Sequence, residues 1–506
     1  MSRIKNSLQN VKFSVIGQVV NVLLSFISRK IFITVLSVEY MGLSGLFSNI
    51  LSLLSITELG IGSALICFLY KPLAEDDHNR IIDIMYLYRK IYIGIGCIVL
   101  VLGSSMTPFL GYFINELPNI PNISLIYILY VLNSASSYFL CYKRELIIAN
   151  QQRYIFAIYD MYVKCAMYIA QIAVLLITKN YIVFLLIMIA STLIENILIS
   201  IVVNKLYPYL KKSKGRKLQK SDAIEIKTKI VASSFHKIGD VLVTSTDNIL
   251  ISKIVGIIGT GLYSNYLIII STLNTVMTLV YNSILASVGN LGVESNNEYK
   301  EKVFDRINFM TAWAFGFSSV CLMSLFNPFI QLWLGEKYLL DQATVITIII
   351  NFYLIGMRRP IAMMRDAFGI FTHDKYKVIP EVIINFVVSI FAGIKFGISG
   401  IILGTIVSNL CTTFWTYPYI LYKYGFGQKV GKYYKKYIFY FVINLTVTVV
   451  CYLFCEAIPV NSLISFIVKL AICVTVPNLL FAAIYCRSEH FKFFISLVKN
   501  KLLLKR

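Results

Sequence analysis

Apolar runs of about 20 residues recur from one end of this chain to the other, and that is the length an α-helix needs to cross the hydrocarbon core of a bilayer. About fourteen such runs can be placed, the first at 13–36 and the last at 462–485. The alternating pattern of a transmembrane barrel is not seen. Composition agrees: 58% of the 506 residues are hydrophobic and 14% charged, against roughly 25% charged in a soluble protein. The sequence predicts an all-α integral membrane protein.

The 47 Lys and Arg outnumber the 25 Asp and Glu, a balance that would suit a nucleic-acid binder. Placed on the spans, however, the basic residues concentrate in the first, even-numbered and last connections and nearly vanish from the others. Cytoplasmic loops of membrane proteins carry this excess, so both termini are expected in the cytoplasm. The charge then serves orientation and contact with membrane lipids, and nucleic acid is not an expected partner. The opening MSRIKNSLQNVKFS leads into a span too long and too polar for a signal peptide. The ten cysteines lie in or beside apolar spans. Cys451 and Cys455 stand one helical turn apart without a C-x-x-C motif, and the four histidines are scattered. Neither a disulfide framework nor a metal site is implied.

The main polar break, Asn204–Lys229, holds nine Lys and Arg. It suggests a six-helix bundle at 1–210, a basic cytoplasmic linker at 211–229, a second six-helix bundle at 230–425, a final helix pair at 426–486 and a basic amphipathic tail at 487–506, suited to the membrane interface. The bundles echo one another. GLSGLFSNILSLLS (Gly42–Ser55) opens the second span and GLYSNYLIIISTL (Gly261–Leu273) the eighth; both begin Gly-Leu and carry an aromatic-Ser-Asn triplet. With six spans per block the copies enter the membrane in the same direction, a parallel repeat.

Several spans gather their polar residues on one face at 100° per residue. Span 1 has Ser14, Gln18, Asn21, Ser25, Ser28 and Arg29; span 2 has Ser44, Ser48, Ser52, Ser55 and Glu58. Span 7 has Ser233, Lys237, Asp240, Thr244 and Asp247, and span 8 has Ser264, Ser271, Thr275, Thr278 and Asn282. Span 10 has Thr344, Thr347, Asn351, Arg358 and Arg365. Small hydroxyls alone often mark helix packing. Charges among them cost about 3 kcal/mol or more at mid-bilayer, which favours a shared hydrated cavity. Arg29 lies within its stripe and Lys30 far from it. Arg358 is too deep to snorkel easily, whereas Arg365 reads as an anchor at the inner surface. Asp160 and Lys164 are spaced for an i,i+4 salt bridge. Asp240 could pair with Lys237; Glu58 and Asp247 have no obvious local partner and are candidates for a coupling proton or Na⁺, with no other cofactor expected.

Two stretches, RKIFITVLSVEYMGLSGLFSNILSLLSITELGIGSAL (Arg29–Leu65) and TDNILISKIVGIIGTGLYSNYLIIIS (Thr246–Ser271), resemble the O-antigen, capsule and exopolysaccharide repeat-unit flippases. These belong to the multidrug/oligosaccharidyl-lipid/polysaccharide exporter superfamily. The resemblance implies two six-helix bundles in a V around a central cavity, as in MATE exporters, and alternating access. It also implies a non-enzymatic role in the bacterial cytoplasmic membrane, with polysaccharide polymerases and glycosyltransferases as functional associates. The substrate it implies is an undecaprenyl-pyrophosphate-linked oligosaccharide, whose pyrophosphate would meet cationic cavity residues. By position in the motifs, Arg29 and Asp247 carry over; Arg358 rests on periodicity alone. Gln18, Asn21 and Asn282 complete the expected substrate-binding set, and Glu58, Asp247 and Asp240 the ion-coupling set. Three rivals stand beside this reading. A lipid II flippase differs only in substrate. A drug antiporter would have to tolerate arginines in its cavity. A membrane polysaccharide polymerase would be expected to have a larger outer loop.

Overall fold

The computed structural model describes residues 3–58, 61–114, 118–212, 241–243, 245–294, 296–368, 370, 377–459 and 462–503. Among them every regular element is helical. Ten helices are long and apolar enough to cross a membrane, or eleven with one bent pair counted as a span. One of the ten is a hairpin of two spans, the expected span 2 is present as two shorter helices, and the expected span 7 is described only at 241–243 and 245–254. Contacts divide the chain into two compact units, Met1–Gly261 and Leu262–Arg506. The expected linker, 211–229, lies outside the described residues except for its first two positions, as does Asp240.

In the first unit α1 (Arg3–Val35) is followed by α2 (Val38–Leu54), a 3₁₀ turn at Ser55–Glu58, and α3 (Ile61–Ala74). Next come α4 (His78–Ser105), α5 (Ile123–Tyr138), α6 (Tyr142–Ala149), α7 (Arg153–Thr178) and α8 (Tyr181–Leu206), and then α9 at 245–254. α1 packs along α7, and α4 along α5. The core between α3, α4, α6 and α8 is built on Leu69, Tyr88, Val99, Leu146 and Val203, all fully buried.

Two spans expected to be straight are broken. Span 2 gives way at Ser55–Glu58, and the two halves of span 4, α5 and α6, meet at 43° across Phe139–Cys141, where Leu140 adopts a φ of 67°. A bulky residue in the left-handed region cannot continue a helix. The sequence places the end of span 4 near 142, so that α6 would lie in the connection beyond it. Instead Glu145, Leu146 and Ile147 are buried.

The repeated Gly-Leu openings have a direct structural reason. α10 (Ile257–Glu294) starts against α2. A Cβ on Gly42 would lie 2.0 Å from the Ile257 carbonyl oxygen, and one on Gly261 2.4 Å from that of Val38. Each glycine therefore meets the residue four before the other, so the two openings cross backbone to backbone with pseudo-twofold symmetry. Gly42→Ala is expected to separate the helices and to cost about 1–3 kcal/mol, as overpacking does. Thermal denaturation of the detergent-purified protein reads the effect; Gly94→Ala on α4, where an added Cβ meets nothing within 4 Å, is the control.

The second unit is organised on α11 (Asn297–Trp333), which packs against α12 (Gln342–Ala367), α15 (Gly431–Glu456) and α16 (Leu463–Tyr485). Between them lie α13 (Val378–Cys411) and α14 (Thr413–Ile420). Gly397, with φ 60° and ψ −134°, folds α13 into a helical hairpin. Its legs are joined by Asn385 Nδ2 donating to Thr405 Oγ1 and Ser389 Oγ donating to the Ile401 carbonyl, each at 2.9 Å. The sequence predicts this as two successive spans, 378–395 and 398–417. A last helix, α17 (Glu489–Leu503), corresponds to the expected basic tail.

Candidate functional site

In the first unit the α1 stripe is only partly covered. Gln18, Asn21 and Arg29 are half-buried, while Lys30 is exposed. Asn21 Oδ1 is buried without a hydrogen-bond partner among the described residues. Arg29 and Asp247 are both engaged by neighbouring groups, and Asp247 on α9 is 7% exposed. Glu58 ends the turn that breaks span 2, and the Tyr138 hydroxyl lies beside both Ser55 and Glu58. The two breaks thus meet at one place. From α6, Glu145 joins them, with Arg144 Nε 3.5 Å from its Oε1. Discontinuous spans carry unsatisfied backbone groups into the membrane, which is why transporters place ions and substrates at such breaks. Glu58 was expected to lack a local partner. Its neighbours Tyr138 and Glu145 lie 80 and 87 positions later, beyond any local spacing rule.

A cavity of about 600 Å³ opens elsewhere in this unit, lined in part by Ser37, Glu39, Tyr40, Asn119 and Gly256. Among the described residues its lining carries a carboxylate and no Lys or Arg, which does not suit a pyrophosphate.

The second unit redistributes the cations of span 10. Arg358, expected to face a hydrated cavity, lies 3.6 Å from Glu381 on α13. Glu381 Oε2 also accepts from Lys377 at 2.9 Å and Oε1 from Thr413 at 2.9 Å. The ring of Tyr417 receives Lys377 and Arg365 on its face, both at 4.1 Å. Arg365, expected as an anchor at the inner surface, is 4% exposed and pairs with Asp366 at 2.8 Å. The free space around Arg358 and Tyr417 is about 10 Å³, scarcely enough for one water. This cluster is packed, and each of its three cations pairs with one of two carboxylates.

The next residue behaves differently. Arg359 turns from that cluster to the polar face of α10. Its Nη1 donates to Thr278 Oγ1 and its Nη2 to Asn274 Oδ1, each at 2.9 Å, and the guanidinium lies 5.6 Å from the Phe315 ring centroid. Both acceptors are neutral, and no carboxylate among the described residues pairs with it. A guanidinium has five N–H donors in a planar fork, so Arg359 keeps both its charge and spare donors. The spacing analysis passed over it because 100° per residue placed Arg358 on the stripe. The signal that could have found it was the stripe of span 8, where Thr278 needed a partner. The side chain of Asn282, on the same stripe, lies outside the described residues.

No family model matches the chain, and no curated protein matches its sequence. Solved structures do. A lipid II flippase, MurJ, in an inward closed conformation superposes with a TM-score of 0.66 at 13% identity, over 95% of this chain and 99% of that one. The chain has the same fold. An inward-facing multidrug resistance transporter of the MATE family gives 0.60 at 12% identity, over 82% and 98%. A transporter of the MOP superfamily from Pyrococcus furiosus gives 0.57 at 12%, over 84% and 96%. Among local predictions, the Asp160–Lys164 pair is present at 2.7 Å.

Proposed function

We propose that this protein is a flippase that carries undecaprenyl-pyrophosphate-linked oligosaccharide repeat units across the bacterial cytoplasmic membrane by alternating access. The observation that carries the reading is Arg359, a cation in a membrane domain whose hydrogen-bond partners among the described residues are all neutral. Keeping a charge there is costly unless an anion arrives to meet it. A pyrophosphate suits a guanidinium, which offers two parallel hydrogen bonds and stays charged; a cationic drug would be repelled. The correspondence in length with the lipid II flippase, and the motif resemblance to repeat-unit flippases, support a lipid-linked glycan over a drug. Arg29 is the matching cation of the first unit, with Gln18 and Asn21 as polar neighbours on the same stripe. Transport without covalent chemistry is the activity expected.

The test is reconstitution. Proteoliposomes holding the purified protein are expected to flip a fluorescent undecaprenyl-pyrophosphate-linked oligosaccharide, read by protection from a membrane-impermeant quencher. Flipping of lipid II alone would favour the lipid II reading, and ion-driven efflux of a cationic dye without glycan flipping would sink both. Orientation is tested separately. A reporter active only outside the cytoplasm is expected to be silent when fused at Gly215 and active at Asn119.

Coupling is assigned to acids at the breaks and motif. Glu58 beside Tyr138, and Asp247 on α9, would each exchange a proton or Na⁺ during the return step. Glu58→Gln and Asp247→Asn are expected to remove the dependence of flipping on the proton or Na⁺ gradient at unchanged protein level. Normal gradient dependence in both variants would make these acids structural.

A further inference from the structure

Three cysteines that sequence spacing left unrelated converge in the second unit. Cys451 and Cys455 share one face of α15, and Cys473 comes from α16. The sulfur of Cys473 lies 3.9 Å from that of Cys451 and 3.6 Å from that of Cys455, and all three sulfurs fall within 4.8 Å of one another. They are 0%, 1% and 0% exposed. Thiolates bound about 2.3 Å from a zinc ion are held roughly 3.8–4.0 Å apart, so the ligand atoms already stand near their bound separations.

Two further side chains point to an ion. Ser324 on α11 is 4% exposed, and its Oγ lies within hydrogen-bonding reach of the Cys451 and Cys455 sulfurs. A helical serine usually bonds its own backbone one turn back, as Ser318 and Ser319 of the same helix do. Ser324 makes no such backbone bond, so its oxygen is available to an ion held by the sulfurs. Lys469, one turn before Cys473, is 7% exposed and close enough to Cys455 to act on its charge. A divalent ion with three thiolates carries one net negative charge, which a single ammonium cancels. A monovalent copper ion would leave the site one charge more negative.

We propose that Cys451, Cys455 and Cys473 form a thiolate site for one zinc ion, with Ser324 supplying an oxygen ligand and Lys469 the balancing charge. Soft sulfur ligands select zinc over magnesium or calcium. The site would clamp the final helix pair onto α11. Cys455 lies one residue from Glu456, at the exposed end of α15, which leaves an ion a short way in. The Cys321 sulfur, 3.5 Å from the Cys473 carbonyl oxygen, steadies that ligand from α11.

The experiment uses the full chain, purified in detergent with reductant and without chelator. Elemental analysis is expected to find about one zinc ion per chain, and cobalt(II) exchanged into the protein is expected to give a thiolate-to-metal charge-transfer band. Cys455→Ser and Cys473→Ser lose both, Ser324→Ala weakens zinc binding about 10-fold, and Cys97→Ser on α4 changes neither. The cobalt spectrum of the unaltered protein decides the matter even where a variant fails to fold. Two results would overturn the proposal: no charge-transfer band and no zinc in the unaltered protein, or a native Cys455–Cys473 disulfide in zinc-free protein isolated without reductant.

Discussion

Arg359→Ala is expected to abolish glycan flipping while the protein remains folded and in the membrane. The alanine removes the one guanidinium that bridges α12 to the α10 residues Thr278 and Asn274. Those partners are a hydroxyl and an amide, and both can turn to water or to each other. The folded state therefore loses little, whereas a pyrophosphate loses its charge partner and its fork. Hydrogen bonds to charged groups are worth about 1.5–3 kcal/mol each, so two of them account for a loss of flipping rate of about 100-fold or more. Arg359→Lys is expected to restore only part of the rate, since an ammonium keeps the charge without the planar pair of donors. Arg29→Ala is expected to act in the same direction. Arg358→Ala separates the alternatives. Its ion pair lies inside a packed cluster, so that variant is expected to lower stability and leave the flipping rate per folded molecule near normal. Full flipping by Arg359→Ala would remove this arginine from substrate binding.

Glu381→Leu is expected to be the most destabilising single change among the charged residues. The Glu381 carboxylate is the common partner of Arg358, Lys377 and Thr413, with Lys377 and Arg365 both against the Tyr417 ring. Removing it leaves Lys377, whose side chain is 7% exposed, without its counter-charge and close to two arginines. Breaking a buried pair on one side costs about 3–5 kcal/mol, because the surviving charge stays desolvated. The expectation is a large fall in melting temperature and in the amount of folded protein extracted from membranes. The double variant Glu381→Leu with Lys377→Met is expected to recover much of the loss, since it withdraws the stranded charge as well. A single variant as stable as the parent would show that the cluster is hydrated and contributes little.

Length and hydropathy alone determined that this chain is a many-span helical membrane protein, and they placed the helical hairpin at Gly397 and the repeat at Gly42 and Gly261. Those properties are local: a run must span the bilayer, and a glycine marks a turn or a close approach wherever the neighbour comes from. The Asp160–Lys164 pair was legible for the same reason, being set by one helical turn. Which helix faces which was not legible. In lipid no hydrophobic gradient drives one apolar face against another, so small residues, interhelical hydrogen bonds and packing decide it. That decision put Arg358 against Glu381 and gave the polar face of α10 to Arg359. It also brought Tyr138 and Glu145 to Glu58 across two broken spans and carried Cys473 to Cys451 and Cys455. Adjacent residues on a helix differ by 100°, and a long arginine side chain can cover that difference. Only the neighbouring helices, by supplying a carboxylate on one side and hydroxyl and amide groups on the other, determined which of the two arginines meets a counter-charge and which meets neutral groups.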